Sequence, residues 1–296
     1  MSTAQKTVSL ILGSGGARGL AHIGVIRSLE ENGYTIRSIA GASMGALIGG
    51  IYAAGKLDIY EKWVAALRKR DVLQLLDFAY SRAGRFSGDR IINKLRNMLG
   101  DIRIEDLPLS FTAVATDLNA GREVWLTRGS LFDAIRASIA IPTIFTPVKF
   151  HGRLLVDGGL LNPVPLAPTL KDITDLTVAV SLSGKPEALA EPEEAQQDND
   201  KIGNSYRNAI AEYIESLQSH FSSDEDDSDS TNMFELMSRS LEAMQHLITR
   251  FKLAAYNTDY LVEIPVNACS IFEFYRAEEM VELGYARAQR LFAKQG

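Results

Sequence analysis

Short apolar runs and helically spaced apolar positions alternate along the first 180 or so residues. Val8–Leu12 is β-branched and apolar, then breaks into Gly13-Ser14-Gly15-Gly16-Ala17-Arg18-Gly19. Beyond that loop Leu20, Ile23, Val25, Ile26 and Leu29 recur with roughly helical spacing up to Asn32-Gly33, a stop signal. The chain thus begins strand, glycine loop, helix. Arg37–Ala40 is a second short strand, and Met44–Ala54 a helix of small and apolar residues closed by Gly55. Residues 58–99 read as two or three helices with a loop at Ser81–Gly88. Strand-like segments return at Leu109–Ala115 and Glu123–Leu126, then a helix at Leu131–Ile139 stopped by Pro142, then strands at Arg153–Val156 and Leu176–Leu182. Strands alternating with helices predict an α/β fold: three α/β/α layers around a central, mostly parallel or mixed sheet.

The pattern weakens between residues 184 and 232. Two acidic polar stretches flank a short helical candidate at Asn204–Leu217, which predicts an acidic, partly mobile insertion at 184–232 within one domain spanning 1–296. The tract SSDEDDSDS lacks the loop glycine and terminal glutamate of a hand-type calcium site, so a solvated linker is the better reading. Afterwards Phe234, Met237, Leu241, Met244, Ile248, Phe251 and Ala255 form one stripe on a long helix. That stripe reads first as core packing, with a dimer face or a membrane-facing helix as the alternatives. Tyr260–Pro265 reads as a late strand and Ala277–Phe292 as a closing amphipathic helix. The run Val72–Phe78 is more apolar than a surface connection needs; it either caps a core or forms a flap over an apolar substrate site.

Charge sharpens this division. The 296 residues carry a formal net charge of -6, yet 184–232 alone holds 13 Asp or Glu against 3 Lys or Arg, so the rest of the chain is about +4 by subtraction. Scattered, modest positive charge without a reading motif excludes a nucleic-acid partner. The lone Cys269 cannot form an intramolecular disulfide and leaves no thiol cluster for a metal. The apolar run near the N-terminus is too short for a signal peptide or a membrane span, and reads as the first core strand. These features point to a cytoplasmic chain, at most peripheral to the inner face of the membrane.

The chemistry concentrates at Gly41-Ala42-Ser43-Met44-Gly45. A serine between small-residue pairs, after a strand and before a helix, has the nucleophile-elbow pattern, which lifts the hydroxyl clear of the backbone. The following helix aims its positive end at charge developing beside the serine. A serine alcohol still needs a base. Of the four histidines, His220 borders the acidic tract and His246 lies beside the apolar stripe. His22 reads as a packing or hydrogen-bonding residue near the glycine loop, and His151 as a solvated hairpin-turn residue. Asp157 ends the apolar strand Leu154-Leu155-Val156 and precedes Gly158-Gly159, where a carboxylate could project into a site and accept the serine proton. A turn alone is the other reading of Asp157-Gly158-Gly159.

The loop Gly13–Gly19 departs from both nucleotide patterns. Arg18 stands where G-x-G-x-x-G needs glycine, Gly19 comes one place late, and the P-loop Lys and Ser/Thr are missing. What remains is a run of unhindered backbone N–H groups with a guanidinium beside it, suited to an oxyanion or a phosphate; the alternative is a tight turn that packs strand on helix.

In their order and spacing these motifs resemble the bacterial patatin-like phospholipases. The resemblance rests on Gly13–Gly19, Gly41–Gly45 and Asp157-Gly158-Gly159, supported by Asp133–Pro142 and Asn162-Pro163-Val164-Pro165, and spans roughly residues 8–182. Members are Ser/Asp dyad acylhydrolases without a catalytic histidine. The resemblance implies a patatin-like lipid acyl ester hydrolase of phospholipase A or lysophospholipase type. Ser43 and Asp157 are its expected catalytic pair. The amides of Gly15, Gly16, Ala17, Arg18 and Gly19 are its expected oxyanion hole, and Gly41, Gly45, Gly158 and Gly159 its supporting glycines. No cofactor or metal is expected. The expected partners are a fatty acyl ester or phospholipid, with weak membrane-surface contact and homo-oligomerisation left open. A non-catalytic lipid-sensing or scaffolding protein that keeps the same fold is the competing reading.

Overall fold

Among the described residues eight strands lie in one sheet, in the order β5-β6-β3-β2-β1-β7-β8 with β4 pairing β3 on the side. A computed structural model describes residues 5–75, 88–142, 144–188 and 233–292. The strands are β1 (Thr7–Leu12), β2 (Thr35–Ala42), β3 (Ser110–Asp117), β4 (Arg122–Leu126), β5 (Val148–Phe150), β6 (Arg153–Asp157), β7 (Leu176–Gly184) and β8 (Tyr260–Pro265). The described helices are α1 (Ala21–Glu31), α2 (Met44–Ala53), α3 (Leu57–Ala65), α4 (Lys69–Leu75), α5 (Asp89–Leu99), α6 (Leu131–Ser138), α7 (Met233–Ala255) and α8 (Ala277–Phe292). Strands β2, β1, β7 and β8 run parallel, as does β3 beside β2; β4, β5 and β6 make the sheet mixed through antiparallel pairs. The expected mixed α/β sheet is the one observed.

Period-two alternation along β1 assigns the two faces. Leu10 and Leu12 point into the main core with α1, α2, α6 and α8, whereas Ile11 joins Ala179, Val164 and Leu166 on the opposite face, covered by Leu253 and Tyr256 from the end of α7. Helices therefore lie on both sides of the sheet. Close approach shapes the main core. A Cβ on Gly24 would lie 1.9 Å from the Val281 carbonyl oxygen and one on Gly284 2.0 Å from that of Ala21, so α1 and α8 cross nearly backbone to backbone.

The boundaries expected from periodicity shift by only a few residues, and two differences have clear causes. The β5 strand was not expected because it is three residues long and half-exposed; it exists through its hairpin with β6, where His151 (φ 47°) and Gly152 (φ 76°) form the turn. The second concerns α7. Its stripe does not pack in the core: Met237, Met244 and Phe251 are more than half exposed. The helical candidate at Asn204–Leu217, most of the acidic insertion, the loop at 81–87 and Phe78 lie outside the described residues.

Candidate active site

Ser43 follows the last residue of β2 and caps the N-terminus of α2, with φ 54° and ψ -122°. A positive φ is uncommon for a residue with a Cβ and costs about 1–3 kcal/mol, so the surroundings must hold it. They do so by close contact. A Cβ on Gly41 would lie 2.4 Å from the Gly45 carbonyl group and one on Gly45 2.0 Å from the Leu12 carbonyl oxygen, which explains the small residues flanking the serine. The Ser43 N–H donates to Ser138 Oγ at 2.9 Å, and that hydroxyl donates to the Val114 carbonyl at 2.6 Å.

Sheet register brings Asp157 level with Ser43. Ala42 pairs with Val114 of β3, and the next residue, Ala115, pairs with Asp157 of β6. β4 takes the opposite edge of β3, so β2 up to Val114 and β6 from Ala115 lie end to end along one edge, and the two side chains meet: Ser43 Oγ donates to Asp157 Oδ2 at 2.6 Å. The other carboxylate oxygen accepts the Gly159 N–H at 2.7 Å. The glycines after Asp157 are also required by space, since a Cβ on Gly158 would lie 2.0 Å from the Val114 carbonyl oxygen and one on Gly159 2.5 Å from Ser14 Oγ. Both Ser43 and Asp157 are buried. Burial raises the Asp157 pKa to about 7, against the lowering effect of the hydrogen bonds from Ser43 and Gly159. A carboxylate with that affinity for protons can take one from a hydroxyl at neutral pH.

Two cavities meet at Ser43. One is lined almost wholly by apolar side chains, among them Leu47, Trp63, Val64, Leu95 and Phe145. The other is bordered by both Ser43 and Asp157 and lies under the first half of α7, with Leu236, Met237, Met244 and Gln245 on its wall. Ser43, Gly16, Ile141 and Ile271 border both. The Val72–Phe78 run contributes Val72 and Leu75 to the apolar chamber, so its described part borders that chamber at Ser43.

A family model for patatin-like phospholipase matches residues 10–170. The chain belongs to the patatin-like phospholipase family. It is 39% identical over 323 aligned residues to uncharacterised NTE family proteins of Mycobacterium bovis and Mycobacterium tuberculosis, covering 95% of this chain and 90% of theirs. It is 34% identical over 167 residues to the neuropathy target esterase sws of Drosophila persimilis, a match covering 54% of this chain and 12% of that one. Among solved structures, VipD from Legionella pneumophila aligns over 99% of this chain and 67% of its own, with a TM-score of 0.47 and 16% identity. Patatin-like and NTE proteins are a family of lipid hydrolases.

Within this patatin-like chain the glycine loop is less uniform than its sequence implies. The Ala17 N–H donates to the Ile271 carbonyl at 3.0 Å, so it is not free to receive an oxyanion. Gly19 packs on Met44, where a Cβ would lie 2.4 Å from that side chain, and neither Ala17 nor Gly19 borders either of these two cavities. Gly15, Gly16 and Arg18 do border the α7-side cavity, and the Gly15 and Gly16 N–H groups have no backbone acceptor among the described residues. The five-residue nest expected from sequence therefore narrows. Arg18 is turned to structural use: its guanidinium donates to the Gly15 carbonyl at 3.1 Å and the Val266 carbonyl at 2.8 Å, and pairs with Glu242 of α7 at 3.3 Å.

The histidines stand apart. His22 is buried, with Nε2 2.9 Å from the Gly13 carbonyl, and burial lowers its pKa to about 4. His151 sits in its hairpin turn, and none of His22, His151 and His246 borders either cavity. The Cys269 thiol is buried and raised to about 12, a poor competing nucleophile. Among the described residues no group of three or more His, Cys, Asp or Glu could hold a metal ion, and no helix is long and apolar enough to cross a membrane. Sequence reasoning gave no role to Ser138, Ser14 or Gln245. Ser138 stood inside the Asp133–Pro142 motif, but its contact with Ser43 spans 95 positions and has no local signature.

Proposed function

We propose that this chain hydrolyses lipid acyl esters, as a phospholipase A or lysophospholipase type of enzyme, with Ser43 as nucleophile and Asp157 as its base. The observation that carries the reading is the 2.6 Å hydrogen bond between Ser43 Oγ and Asp157 Oδ2 at a strained elbow, beside a chamber lined by apolar side chains. The acyl carbonyl carbon sits over Ser43 Oγ with its chain in the apolar chamber and its alcohol portion toward α7. Asp157 takes the hydroxyl proton as Oγ adds to the carbonyl carbon. The oxygen that becomes negative is met by the Gly15 and Gly16 N–H groups and by the N-terminal end of α2. Collapse breaks the bond to the alcohol, which leaves with the proton returned from Asp157. Water, deprotonated by the same carboxylate, then adds to the acyl-serine; collapse releases the fatty acid and restores the Ser43 hydroxyl.

A fluorophosphonate probe with a medium-chain ester assay tests this reading. Labelling is expected for the wild type and lost in Ser43→Ala, while Asp157→Asn keeps its fold and loses turnover. Labelling that survives Ser43→Ala rejects the nucleophile, near-wild-type turnover by Asp157→Asn rejects the dyad, and a folded wild type inert to both probe and ester favours the lipid-sensing alternative.

A further inference from the structure

Helix α7 faces the body of the protein with its polar side. Gln245 Nε2 donates to the Gly159 carbonyl at 3.0 Å, Glu242 pairs with Arg18, Lys252 approaches Glu123 at 3.9 Å, and Thr249 is buried between them. The reason is local, because this side of the helix spans the polar rim of the Ser43–Asp157 site. The consequence is an outward apolar side. Leu236, Met237, Met244, Leu247 and Phe251 are 50% to 68% exposed and fall within about 100° of the helix circumference, at a turn of 3.6 residues. Arg250, which is exposed, falls along one edge of that stripe.

Two observations indicate what meets this face. The stripe is continuous with the site: Leu236, Met237 and Met244 line the cavity holding Ser43 and Asp157 while remaining half open to the outside. A hydrocarbon chain passing along the stripe reaches the cavity mouth on apolar side chains interrupted by the Ser240 hydroxyl. The exposed Arg250 beside an apolar centre also matches a helix lying in a lipid interface, with its guanidinium level with anionic headgroups. We infer that the outward face of α7 docks this chain on an anionic lipid surface and delivers lipid from it to the Ser43 cavity. The delivery rests on the hydrolase reading; the docking does not.

Flotation with vesicles of equimolar phosphatidylglycerol and phosphatidylcholine tests the docking, using the Ser43→Ala protein so that the lipid is not consumed. Leu247→Glu/Phe251→Glu in that background removes the two stripe residues that do not line the cavity. The bound fraction is expected to fall at least about tenfold, since two buried apolar contacts are replaced by charges that anionic lipid repels. Binding by the unsubstituted stripe should weaken in pure phosphatidylcholine and at high salt. In the otherwise wild-type chain, the same pair of changes should leave hydrolysis of a water-soluble butyrate ester within twofold and lower hydrolysis of vesicle lipid in parallel with binding. Unchanged flotation of the double variant overturns the proposal. So does a fall in oligomer size caused by the double change, which makes the stripe a face between copies, or vesicle binding that appears only after residues 189–232 are removed. A wild type that floats through this face yet cleaves neither ester sinks the hydrolase reading and leaves the docking standing.

Discussion

Ser138 accepts the backbone N–H of Ser43 at 2.9 Å and donates its own proton to the Val114 carbonyl at 2.6 Å, tying the elbow to α6 and β3 through one hydroxyl. Ser138→Ala leaves the buried Ser43 N–H without its acceptor, at about 1–3 kcal/mol, and takes one donor from the Val114 carbonyl. It also removes a restraint on a residue held at φ 54°. The melting temperature should fall, and kcat on a soluble ester should drop roughly 10- to 100-fold as Oγ moves off Asp157. KM, governed by the apolar chamber, should stay within twofold. Steady-state kinetics beside thermal melts read both effects, and an unchanged kcat would show that the elbow holds without this bond.

The pH dependence follows from Asp157. Only its ionised form can take the Ser43 proton, and its pKa lies at about 7. The rate constant kcat/KM for a soluble ester should therefore rise tenfold per pH unit well below that value and level off above it. A pH–rate profile flat down to pH 5 would contradict a base in this environment.

The same burial gives a stability prediction of opposite sense. Asp157 in the folded chain binds its proton more tightly than an unfolded aspartate, which titrates near 3.8. Between these values the folded state holds more protons, so stability falls as pH rises toward 7 and the loss is complete above it. By this linkage the ionised carboxylate costs up to about 4 kcal/mol at pH 8. Asp157→Asn removes that cost while keeping an acceptor for the Gly159 N–H. The variant should melt several degrees above wild type at pH 8, and the gap should narrow by pH 5. Equal melting curves at pH 8 would mean that the buried charge is better compensated than its two hydrogen bonds suggest.

Local pattern carried much of this fold into the sequence. The elbow, the glycine loop and Asp157-Gly158-Gly159 were legible because each needs small residues for a stated reason: the Gly45 position abuts the Leu12 carbonyl and Gly158 that of Val114. The parts that were not legible depend on contacts distant in sequence. Ala17 looked like an open amide until Ile271, 254 positions later, accepted its proton. The α7 stripe misled for a related reason. Periodicity identifies an apolar side of a helix, but which side faces the body was decided by Arg18 and Gly159, polar groups on other elements.

Arg18 and Glu242 form an ion pair whose two ends should differ in consequence. Arg18 is buried and donates to the Gly15 and Val266 carbonyls, whereas the Glu242 side chain is 48% exposed. Losing the arginine frees two carbonyls and a packed stem, about 2–4 kcal/mol in all, and lets Gly15 and Gly16 drift from the oxyanion. Losing the half-exposed carboxylate costs under about 1 kcal/mol. Arg18→Ala should lower the melting temperature and kcat together, while Glu242→Gln leaves both close to wild type. Similar losses in the two variants would show that the pair itself, rather than the carbonyl contacts, fixes the loop.

The apolar chamber makes a prediction about chain length. Val64 is buried on α3 and lines this chamber, not the α7-side cavity. Val64→Phe places a ring in space that the acyl chain is expected to occupy, at a packing cost of about 1–3 kcal/mol in stability. A butyrate ester should need little of the chamber, so its kcat/KM should hold within a fewfold. A palmitoyl ester loses contacts at roughly 0.8 kcal/mol per methylene displaced, and two or three of these lower kcat/KM by about 10- to 60-fold. Esters of increasing chain length, assayed in wild type and variant at one detergent concentration, separate this effect from general damage. A uniform loss across all lengths would indicate that the chain lies elsewhere, in the cavity beneath α7.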